Sequence, residues 1–309
     1  MSATLATDDP ALAAFADVVG DSGPVAVAGG HTRWDAGGEL AAGTRIVDAP
    51  TGIVSYRPEE MTVTVRAGTP VAELHAELAR RGQRTALPDR GGTVGGALAV
   101  GENDIRALGR GLVRTAPLQI RYVSAEGRLV TGGGPTVKNV TGFDLPRLLT
   151  GSLGTLGLMA EVILRTNPVP PVTRWVTASD VDPRAVLDAV LAPGAVLWDG
   201  ETIWVELEGH GPDVDAEVGR LGAVGSFDEA DGPPPLPPHR WSVSPAEALD
   251  AVTLGAGPYV AALGLGLVFA WSDQPARPLP PAVATVTARL KANFDPTGRL
   301  NPGRDPARR

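Results

Sequence analysis

Three glycine-rich segments hold the residues of this 309-residue chain whose types and spacing suit chemistry. The first is Val25-Ala-Val-Ala-Gly-Gly-His-Thr-Arg33, an apolar run that ends on two glycines and then on hydrogen-bonding residues. Without side chains, Gly29 and Gly30 let backbone N–H groups converge on an anion such as a pyrophosphate. The next residues, Trp34 to Gly38, read as loop, so this is not G-x-G-x-x-G followed by a helix, and a Rossmann site is disfavoured. The second segment, Leu87-Pro-Asp-Arg-Gly-Gly-Thr-Val-Gly-Gly-Ala-Leu-Ala99, suits another anion-cradling loop leading into a short helix. The third joins Lys138-Asn-Val-Thr-Gly142 to Leu149-Thr-Gly-Ser-Leu-Gly-Thr-Leu-Gly157. Its glycines at 151, 154 and 157 allow a flat ligand to lie against backbone.

Other chemistries are excluded or disfavoured. The chain has no cysteine, which rules out disulfides, a thiolate nucleophile and a cysteine-ligated iron–sulfur cluster within it. His31, His75, His210 and His239 are far apart and form no metal-ligand spacing, so no metal is expected. A net charge of −8 provides no basic field for nucleic acid. Lysine occurs only at 138 and 291, while Ala, Gly, Arg and Pro abound, a bias that weakens the meaning of any single arginine. The longest apolar run, Tyr259 to Trp271, is about half a membrane span and reads as a buried strand or strand pair. Met1 to Pro10 lacks the basic and apolar regions of a signal peptide, so a cytoplasmic protein is expected.

Alternating strands and helices must position the glycine segments. Pro10 to Val19 reads as an amphipathic helix, and Met61 to Ala67 alternates with period two as a half-buried strand. Val71 to Arg81 reads as a helix with Thr69 as N-cap and Pro70 in its first turn. Leu118 to Val123 and Arg128 to Val130 flank Ala125-Glu126-Gly127 as a hairpin, and Leu158 to Arg165 is a further strand. Pro168, Pro170 and Pro171 mark a domain boundary. Beyond them the order of elements, with strands at 172–177, 195–198 and 202–208 and helices at 183–191 and 213–221, resembles a ferredoxin-like β-α-β-β-α-β module. Residues 232–238 read as a stiff proline-rich connection, and Pro281 to Phe294 as a final helix.

In this order and at these separations the three segments resemble the FAD domain of the vanillyl-alcohol-oxidase-like, PCMH-type superfamily. The run Lys138 to Gly157 looks most like the glycolate-oxidase branch, and the tail Phe294-Asp-Pro-Thr-Gly-Arg-Leu-Asn-Pro-Gly303 resembles the closing motif that returns to the FAD domain. The resemblance implies an α+β fold: a PCMH-type FAD-binding domain at 1–168, a smaller ferredoxin-like cap at 169–280, and a helix and tail at 281–309. It implies FAD as cofactor, with Gly29, Gly30, His31, Thr32 and Arg33 holding the pyrophosphate. Pro88, Asp89, Thr93, Val94, Gly95 and Gly96 would contact pyrophosphate, ribityl and the isoalloxazine edge, and Gly142, Gly154, Gly157 and Met159 the flavin and adenosine portions.

Departures from the pattern shape the expected function. His31 stands where some superfamily members attach flavin covalently. The glycolate-oxidase branch generally lacks that histidine, so non-covalent FAD is favoured and covalent attachment through His31 is the alternative. Thr115 stands where the family commonly has an acidic residue. The H-x-G-D-G-N-x-H motif of catalytic D-2-hydroxyacid dehydrogenases is missing, and His210 and His239 belong to no such motif, so no catalytic residue is assigned. The resemblance therefore implies the FAD-binding subunit of a glycolate-oxidase-type complex acting on a small 2-hydroxy acid. A second flavoprotein subunit and an iron–sulfur subunit would be its partners, with any inner-membrane attachment made through them. An autonomous FAD oxidoreductase and a non-catalytic flavin-binding scaffold stay open as alternatives.

Overall fold

The period-two pattern of Thr62–Arg66 folds as a strand that buries Val63 and Val65 on one side. In the computed structural model, which describes residues 9–135 and 143–308, the chain divides into two compact units. The first comprises the residues up to Glu102, Val113–Pro168, and Arg277 onward; the second comprises Asn103–Leu112 and Val169–Ala276.

The first unit opens with α1 (Pro10–Val19), whose Leu12, Phe15 and Val19 are buried at i, i+3 and i+7, each contributing about 2 kcal/mol. Asp9 caps it, its side chain accepting from the N–H groups of Ala11 and Leu12. A small parallel pair follows, β1 (Val25–Ala28) with β2 (Arg45–Asp48). Next come β3 (Ile53–Arg57), β4 (Thr62–Arg66), α2 (Val71–Ala79), β5 (Gln83–Arg84) and α3 (Val94–Val100). Then follow β6 (Pro117–Val123), β7 (Leu129–Gly133), α4 (Leu145–Leu149), β8 (Leu158–Arg165) and β9 (Asn167–Pro168). The main sheet is antiparallel in the order β3-β4-β8-β6-β7, and β5 pairs with β9. Leu74 and Leu78 of α2 and Leu98 of α3 pack in one core with Val65, Ile120 and Val162 of that sheet.

The expected cap of α2 is corrected. Pro70 is the N-cap and makes no side-chain cap bond. Thr69 is fully buried, and its hydroxyl accepts from the N–H of Gly52 at 2.8 Å. A loop donor has captured the oxygen that a solvent-exposed threonine would give to its own helix.

In the second unit β10 (Val172–Ser179), α5 (Pro183–Ala189), β11 (Pro193–Trp198), β12 (Thr202–Gly209), α6 (Gly211–Leu221) and β13 (Asp228–Ala230) follow in turn. After them come β14 (His239–Ser242), β15 (Tyr259–Ala262) and β16 (Leu267–Ala270). The sheet order is β13-β10-β12-β11-β15-β16-β14. Its first four strands have the ferredoxin-like arrangement, and β15-β16-β14 extend it beyond β11. Val186, Val214 and Leu221 of the helices cover Val176, Ile203, Val205 and Leu207. On the other face Ile105 joins Trp175, Leu197 and Phe269. The apolar run at 259–271 is a hairpin whose eight strand residues are all buried. Among the described residues no helix is long and apolar enough to cross a membrane.

Candidate cofactor site

Four stretches of the first unit meet at one cleft: Gly29–Trp34 after β1, the 88–97 loop and start of α3, Leu153, and the tail at Asn301 and Arg304. The space in and before the cleft, counted out into its open mouth, is about 880 Å³. A second cavity of about 420 Å³ adjoins it and shares Val27, Gly29, Thr93, Gly96, Ala99 and Asn301. Gly95, Gly154, Gly157 and Met159 complete that second wall.

The glycines let the loops interlock. A Cβ on Gly29 would stand 2.6 Å from Oγ1 of Thr93, and one on Gly30 would stand 2.9 Å from Cα of Gly92. His31 holds a left-handed backbone, φ 56°, a geometry that turns successive N–H groups toward a common side. Among the described residues none accepts a hydrogen bond from the N–H of Gly29, Gly30, His31 or Thr32. The exposed His31 ring leans on Trp34 at 4.6 Å between centroids, and the Arg304 guanidinium covers Trp34 at 5.1 Å. Burial lowers the Arg304 pKa from its ordinary value, with Asp35 and Glu39 working against that shift.

At the cleft rim the carboxylate of Glu102 lies 2.6 Å from Nη1 of Arg90 and 3.2 Å from Nε of Arg33. The tail is fastened by its own ionic network. Lys291 donates to Asp295 at 2.6 Å and to the carbonyl of Thr155 at 2.8 Å, while Asp295 accepts from the N–H of Leu300 at 2.8 Å and of Arg299 at 3.0 Å. Burial alone would raise the Asp295 pKa; the Lys291 ammonium and these N–H groups outweigh it and hold the carboxyl below its ordinary value. Asn301 donates to the carbonyl of Leu153 and accepts from the N–H of Val27 at 3.3 Å.

Gly29, Gly30, His31, Thr32, Arg33, Pro88, Thr93 and Gly96 line the cleft, and Gly95, Gly154, Gly157 and Met159 the adjoining cavity. Two of the expected residues are placed otherwise, and one is not described. Val94 is fully buried with its side chain in the core, and its N–H donates to Thr69. Asp89 is exposed and accepts from the N–H of Gly91 at 3.2 Å. Gly142, with Lys138 to Thr141, lies outside the described residues. Gly157 is explained by packing: a Cβ there would stand 2.4 Å from the Tyr122 ring. The cleft residues missed from sequence are Trp34, Arg90, Glu102, Asn301 and Arg304. For Asn301 the signal was present in the closing motif; the arginines were hidden in an arginine-rich composition.

These features suit a dinucleotide: uncommitted N–H donors, two guanidiniums and a cradle that side chains would fill. Residues 5–133 match the family described as FAD binding domain. Over 156 residues, 49% of this chain and 45% of the relative, it is 34% identical to the glycolate oxidase subunit GlcE of Escherichia coli. Over 160 residues, 50% of this chain and 32% of the relative, it is 32% identical to a D-2-hydroxyglutarate dehydrogenase of Xanthomonas citri pv. viticola. Both matches span less than half of the relative's own length. Among solved structures, an alkyldihydroxyacetonephosphate synthase shares the fold with a TM-score of 0.64 at 15% identity, over 94% of this chain and 73% of that one.

Proposed function

We propose that this chain is the FAD-binding subunit of a glycolate-oxidase-type complex that oxidises a 2-hydroxy acid to a 2-oxo acid and passes the electrons to partner subunits. The observation that carries this reading is the convergence of Gly29–Arg33, the 88–96 loop and the tail at Asn301 on one cleft, the two loops belonging to the stretch 5–133 that matches an FAD-binding domain. The name of the Escherichia coli relative, a glycolate oxidase subunit, supports the reaction class and the assembly. In the overall reaction the substrate gives up its Cα hydrogen, its hydroxyl proton and two electrons. When bound, the flavin supplies the two-electron acceptor.

This chain's own residues would bind and orient. The N–H groups of Gly29 to Thr32 and the guanidiniums of Arg33 and Arg90 would hold the pyrophosphate, with Pro88, Thr93 and Gly96 along it. Gly95, Gly154, Gly157 and Met159 would flank the flavin portion. Residues 1–168 with 281–309 form the cofactor part in this reading, and 169–280 the substrate side. Cysteine is absent, so an onward iron–sulfur relay would belong to a partner, beside a second flavoprotein subunit. Attachment to the inner membrane would be peripheral and through those partners, with the chain itself cytoplasmic. The His31 ring leans on Trp34, which supports non-covalent flavin over attachment through His31.

The test is purification followed by an absorption spectrum and acid precipitation. FAD released into the supernatant is the expected result; FMN, or no flavin after reconstitution, would refute the cofactor reading. Flavin that stays with the precipitate would instead select His31 as the attachment point. Dye reduction by the isolated chain and by the co-expressed complex, with glycolate and both lactate enantiomers, tests the assembly. Turnover is expected only in the complex, and rapid turnover by the chain alone would select the autonomous oxidoreductase.

A further inference from the structure

An acidic side chain stands where an anion is to bind. Glu102 lines the cleft with Arg33 and Arg90, and its carboxylate lies within 3.2 Å of both guanidiniums. Its side chain is 16% exposed, against 44% for Arg33 and 27% for Arg90, so the acid sits inside and the bases reach outward. Arg33 belongs to the first glycine loop and Arg90 to the second, and one carboxylate therefore ties the two loops at the rim. Two guanidiniums alone would repel each other and splay the loops, and the acid between them offsets that repulsion. A carboxylate adds nothing favourable to a bound phosphate and repels it. Its use lies in the free protein.

We propose that Glu102 is an intramolecular counter-anion for the cofactor site: it holds Arg33 and Arg90 together in the free protein and is exchanged for the ligand's diphosphate on binding. The proposal rests on the FAD reading of the cleft. It assigns the two arginines to ligands bearing a diphosphate and leaves phosphate-free riboflavin indifferent to Glu102. No bond is made or broken. The guanidiniums change partner, and the displaced carboxylate turns to solvent.

Glu102→Gln removes the charge yet keeps an oxygen that can accept from a guanidinium. Calorimetric titration of the flavin-free full chain with FAD, ADP, inorganic pyrophosphate and riboflavin compares it with wild type. The variant should bind FAD, ADP and pyrophosphate about ten-fold more tightly at low ionic strength, and the gain should shrink as salt is added. Riboflavin affinity should not change. Glu102→Asp keeps the charge and should bind pyrophosphate like wild type. Equal or weaker pyrophosphate binding by Glu102→Gln, a matching gain in Glu102→Asp, or no pyrophosphate binding by any of the three would overturn the proposal. Wild type that binds pyrophosphate but not FAD would refute the cofactor reading alone, because the pyrophosphate arm still reads the exchange.

Discussion

The two units use buried charge for different purposes. In the first, the interior ions fasten backbone: Asp295 is 2% exposed and, with Lys291, holds the turn that brings Asn301 to the cleft. In the second, Arg106 donates to Glu206 at 2.7 Å, lies 5.7 Å from the Trp175 ring, and pins residues 103–112 to a strand of the sheet. Burial pushes the Glu206 carboxyl up, and the Arg106 guanidinium works against that shift. Ions of the first unit thus assemble a site from loops, while those of the second fix a segment on an already complete sheet. A cleft made of loop ends depends on every tether, whereas a sheet face tolerates loss of one.

The sharpest break of that contrast is Gly30→Val. Its side chain would run into the backbone of Gly92, so the loops could not meet. Flavin content should fall below detection in the absorption spectrum while the second unit keeps its fold; a yellow variant would show that loop contact is not required. Next in size is Asp295→Asn, which strips Lys291 of its charged partner and misplaces a donor opposite the N–H groups of Leu300 and Arg299. We expect a loss of about 3 kcal/mol by urea denaturation, with flavin affinity falling in parallel.

The acid dependence of that step is fixed in sign. The folded Asp295 carboxyl titrates below its ordinary value, so its contribution is complete above the unfolded value, near pH 4, and is lost as pH falls through the folded one. Denaturation of wild type and Asp295→Asn in step across that range would sink the assignment. Glu206→Gln should cost about 2 kcal/mol in the second unit, since Arg106 is partly exposed and can recover water, and flavin content should stay unchanged. Smallest is His31→Ala, with a few-fold loss of FAD affinity from a removed ring contact. Complete loss would transfer His31 to the binding machinery.

The same contrast explains what the sequence could convey. Helix α1, strands β1 and β8 and the helix at 281–294 fall where periodicity and turn residues place them, because local patterning decides them. The glycine loops were legible because a strand running into Gly29-Gly30 has few uses. Thr69 was misread because its hydroxyl partner, Gly52, is 17 residues away. Arg90 and Glu102 were missed for a similar reason, since their meaning appears only when Arg33, from another loop, stands beside them. Gly157 looked like a ligand platform and is at least as much a space for the Tyr122 ring, a contact between strands that no spacing announces.

The bond from the N–H of Val27 to Asn301 spans 274 residues. During synthesis the first glycine loop must therefore wait until Asn301 has been made before its cleft can close, on the order of tens of seconds at ribosomal speeds. A ribosome-stalled nascent chain halted before Asn301 should therefore emerge colourless even with FAD in excess.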